Sequence, residues 1–203
     1  MALDGHTRAT IWSHRYRDVP CSSTDSLGCE AHTTPAIDPN RRYVYAYALD
    51  GRVHKFAAGT GTETMSGGWP EMATAKPTQE KTAGALTIAL SGGNTYVFIA
   101  NEKGISAIRL RLDSAGNPSL VNAWTVRTSC SSMLMVSQVL FCSGGFEHSP
   151  PSGTLWARDP RTGAALWHEH IGAIHWQAPI VANGVLYLPD FVGYLNAFTV
   201  GRR

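Results

Sequence analysis

The sequence predicts an all-β fold of short antiparallel sheets repeated along the chain, and three observations lead there. Gly and Pro are frequent and evenly spread, at 20 and 11 of 203 residues. Short apolar runs of four to six residues alternate with turn dipeptides such as Asp50-Gly51 and Asn183-Gly184, the signature of hairpins rather than helices. The third is recurrence: one phrase of strand, turn, strand, turn, strand appears four times.

The clearest copy is near the C-terminus. Gln177-Ala178-Pro179-Ile180-Val181-Ala182 is a first strand, Asn183-Gly184 a type I′ turn, and Val185-Leu186-Tyr187-Leu188 a second strand. Gly193 then breaks the chain before Tyr194-Leu195-Asn196-Ala197-Phe198. The first copy runs Thr34-Pro35-Ala36-Ile37, Tyr43-Val44-Tyr45-Ala46-Tyr47 and Val53-His54-Lys55-Phe56. The second runs Ala85-Leu86-Thr87-Ile88-Ala89, Tyr96-Val97-Phe98-Ile99-Ala100 and Ile105-Ser106-Ala107-Ile108. The third runs Met133-Leu134-Met135-Val136, Val139-Leu140-Phe141-Cys142 and Gly153-Thr154-Leu155-Trp156-Ala157. Matching positions Pro35, Leu86, Met133 and Pro179 are 51, 47 and 46 residues apart, the length of a four-stranded propeller blade. The expected fold is a β-propeller of about four blade equivalents, probed from its ends as a partial one.

A fourth strand should close each unit. It is explicit in Ala157-Arg158-Asp159-Pro160-Arg161-Thr162-Gly163-Ala164-Ala165-Leu166-Trp167. Asp159 and Thr162 can cap a tight turn, Gly163 can take the positive φ, and Trp167 can then pack between neighbouring sheets. Ala2-Leu3-Asp4 to Trp12 keeps the Asp-to-Trp spacing of eight, with Arg8 where Gly is expected. Trp69 and Trp124 read as the same position in looser copies. This phrase resembles the tryptophan-docking motif of the quinoprotein-like (PQQ-like) β-propellers, and the resemblance extends over nearly the whole chain at the level of blades.

The organisation follows. Residues 1–20 are the end of a preceding blade, 21–32 a Cys-bracketed loop, 33–70, 85–126 and 130–170 three blades, and 175–203 a final incomplete blade. The ends allow ring closure with 11–17 as outer strand beside 194–200. Yet Ala2-Leu3-Asp4 and Ala197-Phe198-Thr199 duplicate one repeat position, which favours a fragment of a longer propeller. Such a fragment would expose blade faces and self-associate through them.

Composition narrows function. The formal net charge is +2 and the basic residues are scattered, a poor footprint for nucleic acid. No run nears the roughly 20 apolar residues of a membrane helix, and the first twenty residues lack a signal-peptide core. Cys21 and Cys29 bracket a short polar loop that can close as a disulfide, placing the intact protein in an extracellular or periplasmic compartment. Two free surface thiols and a cytoplasmic location remain the alternative. For Cys130 and Cys142, a hairpin tip at Ser137-Gln138 sets Cys142 opposite Met133, so buried free thiols are expected.

Propeller ligands bind near the axis, on residues leading into the inner strands. These are His32 and Thr33, Lys81 and Thr82, Cys130 and Ser131, and His175, Trp176 and Gln177. The resemblance implies a PQQ-and-calcium site in the enzymes of the superfamily, with a Trp against the quinone and an Asp as base. Trp176 suits the first role. No adjacent Cys pair accompanies it, and Glu80 and Asp190, the nearby carboxylates, come from different repeat positions. His168 and His170 share one strand face and read as solvated; His54 and His148 read as structural or exposed. No nucleophile elbow or phosphate loop occurs. The function expected is a binding or scaffolding module for a protein partner or small ligand. A piece of a PQQ-dependent dehydrogenase is the alternative, and a lectin-like propeller the third reading.

Overall fold

The computed structural model describes residues 1–15, 33–73, 86–92, 94–101, 104–112, 118–146, 152–174 and 177–199. They contain seventeen strands and no helix.

The first sheet is a two-stranded ribbon, β1 (Ala2–Leu3) with β2 (Thr10–Trp12). Three four-stranded antiparallel meanders follow. The second sheet holds β3 (Ala36–Ile37), β4 (Tyr43–Tyr47), β5 (Arg52–Ala57) and β6 (Glu71–Met72). The third holds β7 (Thr87–Ser91), β8 (Asn94–Asn101), β9 (Gly104–Leu112) and β10 (Pro118–Val126). The fourth holds β11 (Ser132–Val136), β12 (Val139–Phe146), β13 (Ser152–Arg158) and β14 (Ala165–Ile171). The last sheet has three strands, β15 (Ile180–Ala182), β16 (Val185–Pro189) and β17 (Leu195–Thr199). Strand order equals chain order in each, so every connection is a local hairpin. Positive φ at Gly51, Asn183 and Gly184 lets the tight turns match strand twist.

The sheets stack face to face in sequence. Alternation along one strand explains how. In β8, Val97 and Ile99 join Tyr45, Tyr47, Val53, Trp69 and Leu86 against the preceding sheet. Tyr96, Phe98 and Ala100 join Met133, Leu140 and Cys142 against the following one. A strand buried on both faces reads as a continuous apolar run, as 96–100 does. On the far side of the fourth sheet, Leu155 and Ile174 meet Leu186 and Leu188 of the last.

Indole rings join successive sheets at one edge. Trp12 lies over Gly61 of the second sheet: a Cβ added there would be 2.6 Å from its ring. Its Nε1 donates to the Ala58 carbonyl at 2.8 Å. Trp124 repeats both contacts two interfaces later, over Gly163 at 2.6 Å and donating to the Pro160 carbonyl at 2.9 Å. The accepting turns are alike: Gly61 N–H donates to Ala57 O and Gly163 N–H to Asp159 O, with φ of 70° and 73°. The first ribbon makes the same turn, Arg8 N–H to Asp4 O, with φ of 61° on a residue that carries a side chain.

Two expectations change. Trp69 precedes β6 instead of standing on a fourth strand, and it is buried against Tyr45 with centroids 5.3 Å apart. The inserted Ser66-Gly67-Gly68 occupies the positions the strand would need. Among the described residues β2 pairs with β1 and β17 with β16, and no closure between β2 and β17 is seen, in keeping with a partial arrangement. Cys130 and Cys142 are not free thiols but a disulfide with Cα atoms 5.8 Å apart. Met133 does pair with Cys142. The turn before β11 is what register counting omits: Ser131 N–H donates to Ser143 O at 2.8 Å, which returns Cys130 over Cys142. Cys21 and Cys29 lie outside the described residues.

Two measurements follow. Gly163→Ala should cost about 2–4 kcal/mol in denaturant unfolding followed by tryptophan fluorescence, from the positive φ and the overlap with Trp124 together. Gly184→Ala, also at positive φ but with nothing near its Cβ, should cost only about 1–2 kcal/mol. Reducing the Cys130–Cys142 bridge, which closes a short loop, should lower stability by about 2–4 kcal/mol, read as a drop in Tm with reductant that the Cys142→Ala variant no longer shows.

Candidate functional site

The innermost strands are the first of each sheet. β3 lies beside β7, and β7 beside β11. Three hydrogen bonds tie the sheets along this inner edge. Leu86 N–H donates to Thr34 O at 3.2 Å, Thr87 Oγ1 to Met133 O at 3.3 Å, and Ser143 Oγ to Gln177 O at 3.4 Å. Close approach here requires small residues: a Cβ on Gly144 would lie 2.5 Å from Ser129 O.

Of the axial residues expected from sequence, Thr33 and Gln177 are described, both half-buried and both with hydrogen-bonding or ring partners. Cys130 is buried in the disulfide, and Ser131 donates its N–H to the sheet. His32, Lys81, Thr82, His175 and Trp176, with Glu80 and His148, lie outside the described residues. Asp190 is buried and committed to its own turn. It accepts from Val192 N–H at 3.1 Å, Tyr194 N–H at 2.9 Å and Asn196 Nδ2 at 3.1 Å. Burial pushes its carboxyl up, but these donors outweigh it and hold the acid below its ordinary range. A PQQ-and-calcium site needs free carboxylate or amide ligands and an Asp base. Among the described axial residues Gln177 is an amide, Thr33 a hydroxyl, and Asp190 is occupied by its own turn, so these residues supply no free acid for the base.

Buried polar residues that sequence reading missed sit between the sheets. Lys55 is buried with its ammonium 3.9 Å from the Tyr43 ring centroid and 5.6 Å from that of Trp69. Burial pushes it down, and Asp38 opposes that shift. The alternation of Val53, His54, Lys55 and Phe56 already sent Lys55 to the same face as Val53; the aromatic partners, from β4 and the Trp69 turn, were not visible locally. Arg158 is likewise buried. Its guanidinium lies 4.6 Å from the Trp156 ring centroid, and Nη1 donates to Gly163 O at 2.9 Å.

His54 is a buried, fully engaged residue on the opposite face of β5. Its Nδ1 meets Glu63 Oε1 at 2.5 Å and its Nε2 meets Asp50 Oδ2 at 3.1 Å. His14 reaches the other oxygen of Glu63 at 3.4 Å, and its ring lies tilted against that of Phe56 with centroids 5.0 Å apart. This polar chain joins the first ribbon to the second sheet beside Trp12. His168 and His170 share a face, and His168 stacks on Trp156 at 4.8 Å. Among the described residues no group of three or more His, Cys, Asp or Glu is arranged to hold a metal ion. Among the described residues no helix is long and apolar enough to cross a membrane.

No protein-family model matches the chain, and no curated protein matches it. Solved structures do. BamB from Moraxella catarrhalis matches with a TM-score of 0.55 at 18% identity, over 82% of this chain and 46% of that one. The fold is a partial β-propeller. The computationally designed Ika4 protein matches at TM-score 0.49 and 12% identity, over 83% of this chain and 92% of that one. The quinohemoprotein alcohol dehydrogenase ADHIIG from Pseudomonas putida HK5 matches at 0.42 and 15%, over 79% and 33%. This chain thus spans about half the length of the BamB chain it matches, at 46%.

Asp190→Ala should cost about 1–3 kcal/mol, since part-buried donors lose a buried, ionised acceptor. Its folded-state acid is weakened in proton affinity, so the contribution is full above the ordinary carboxylate range and disappears as pH falls through the lowered value. Urea midpoints of the native chain should drop on acidification in that window, and the gap to Asp190→Ala should narrow with them.

Proposed function

We propose that this chain is a quinoprotein-like β-propeller repeat protein whose axial edge is a binding or scaffolding surface, for a protein partner or a small ligand. The observation that carries the reading is the placement of β3, β7 and β11 side by side. In sequence, His32 and Thr33 precede β3, Lys81 and Thr82 precede β7, and His175, Trp176 and Gln177 precede β15, a mixture of cations, an indole and neutral hydrogen-bonding groups suited to an anionic or planar group. Rigid sheets present such segments with little entropic loss on binding. The step from fold to role is one of analogy, and the site chemistry must carry it.

The buried Cys130–Cys142 disulfide supports placement in an oxidising compartment, extracellular or periplasmic. The dehydrogenase reading, with PQQ and calcium, has less behind it. The described axial residues lack the free carboxylates that calcium and a catalytic base require.

Photocrosslinking separates the readings. A photoreactive amino acid at Gln177 or Thr33, in the native host, should yield one defined adduct that the same group at Met65, on the exposed surface, does not. Equal labelling at all three positions would overturn the axial surface. Dye-linked alcohol or sugar oxidation on adding PQQ and calcium would replace it with the enzyme reading, and retention on a glycan array with the lectin reading.

A further inference from the structure

The outer strand of the fourth sheet carries two histidines that the axial reading does not use. β14 is the last strand of its meander, at the opposite edge from β11. Cross-strand register puts His168 opposite Trp156 and His170 opposite Thr154, all on one face. That face turns toward the third sheet, where Trp156 packs against the cluster of Phe98, Leu140 and Cys142. The other face meets the last sheet, through Leu155 and through Trp167 against Phe198. Both flanking sheets are therefore in place, and the two histidines are still exposed. Their exposure belongs to the outer rim of the sheet and not to an end of the chain.

The pair is spaced as a chelate. The imidazole centroids stand 5.7 Å apart, with the ring planes at 77°. With metal–nitrogen bonds of about 2.1 Å, two imidazoles on one ion have centroids roughly 4.5 to 6.4 Å apart, as the angle at the metal opens from a right angle to a straight line. The observed spacing falls inside that span without any movement of the backbone.

Each ring is also held from behind. His170 Nδ1 lies 3.3 Å from Thr154 Oγ1. With Nδ1–H as the donor, Nε2 keeps its lone pair for an ion, and such a second contact orients a ligating histidine. His168 is stacked on Trp156 with centroids 4.8 Å apart. Among the described residues neither of its ring nitrogens makes a hydrogen bond. A half-turn about χ2 keeps the stack and exchanges the nitrogen that faces His170.

The donor set selects the ion. Imidazole suits copper, nickel and zinc, whereas calcium and magnesium call for oxygen ligands. Glu169 stands between the two histidines in sequence, but it faces the other way, opposite Leu155. Two protein ligands leave the remaining positions to water, so the site is open and exchanges its ion. Copper(II) heads the affinity order of these ions.

We infer that His168 and His170 form a two-imidazole site for a divalent transition-metal ion on the outer rim of the fourth sheet. It is separate from the axial edge, and the two readings fail independently.

Titration of Cu²⁺ into the full chain, with any free thiols alkylated beforehand, tests it. Calorimetry should show one saturable site. Tryptophan emission should fall with the same midpoint, because the ion sits beside the Trp156 ring. Zn²⁺ should bind more weakly and Mg²⁺ should not compete. His168→Gln and His170→Gln, both at exposed positions, should each weaken Cu²⁺ binding at least about tenfold, since one imidazole alone loses the chelate. Both should leave the near-ultraviolet circular dichroism unchanged. His6→Gln, at an exposed position in the first ribbon, should leave binding intact. No saturable Cu²⁺ binding up to about 1 mM overturns the proposal, and so does binding that either His168→Gln or His170→Gln leaves unchanged. Equal binding of Mg²⁺ overturns it in favour of oxygen ligands elsewhere.

Discussion

The arrangement depends on how one sheet grips the next, and the grip is an indole seated on a glycine turn. Trp12 on Gly61 and Trp124 on Gly163 use the same geometry, with Nε1 donating to a turn carbonyl in each case. The glycine serves two needs at once. It adopts the positive φ that closes the turn, and its missing Cβ leaves the ring space to lie flat. A small antiparallel sheet cannot bury both faces alone. Stacking solves that, and the indole fixes the stacking distance at the edge where the sheets would otherwise splay.

Between the sheets, burial brings polar groups along with apolar ones. Lys55 and Arg158 each lie against an aromatic ring, where the cation keeps favourable electrostatics after losing water. His54 stands between Asp50 and Glu63, with His14 on the far oxygen of Glu63. Only the His14–Glu63 contact joins two sheets; the others fix groups within one sheet. The axial edge is the opposite case. There the ties are backbone bonds and short hydroxyls.

Much of the fold was legible in order. Asp50-Gly51 and Asn183-Gly184 marked hairpins that the structure places between β4 and β5 and between β15 and β16. The runs 43–47, 96–100 and 185–188 are strands within a residue or so of their apolar limits. Register counting from Ser137-Gln138 set Met133 opposite Cys142, as found. It then missed the disulfide, because Cys130 precedes the strand and reaches Cys142 through the Ser131 turn. Trp69 was misplaced for a similar reason: counting assumed regular strand spacing across a Ser-Gly-Gly insertion.

What the polypeptide determined by itself is whatever depends on neighbours a few residues apart: hairpin turns, strand periodicity and the length of the repeat. Those follow from φ preferences and from alternation across a pleat. Tertiary structure alone decided partners such as the ring cage around Lys55 and the Glu63 carboxylate shared by His54 and His14. It also decided that Leu155 is buried and Leu195 open, although both hold one repeat position. Burial is a property of what lies across an interface, and no local pattern carries that information.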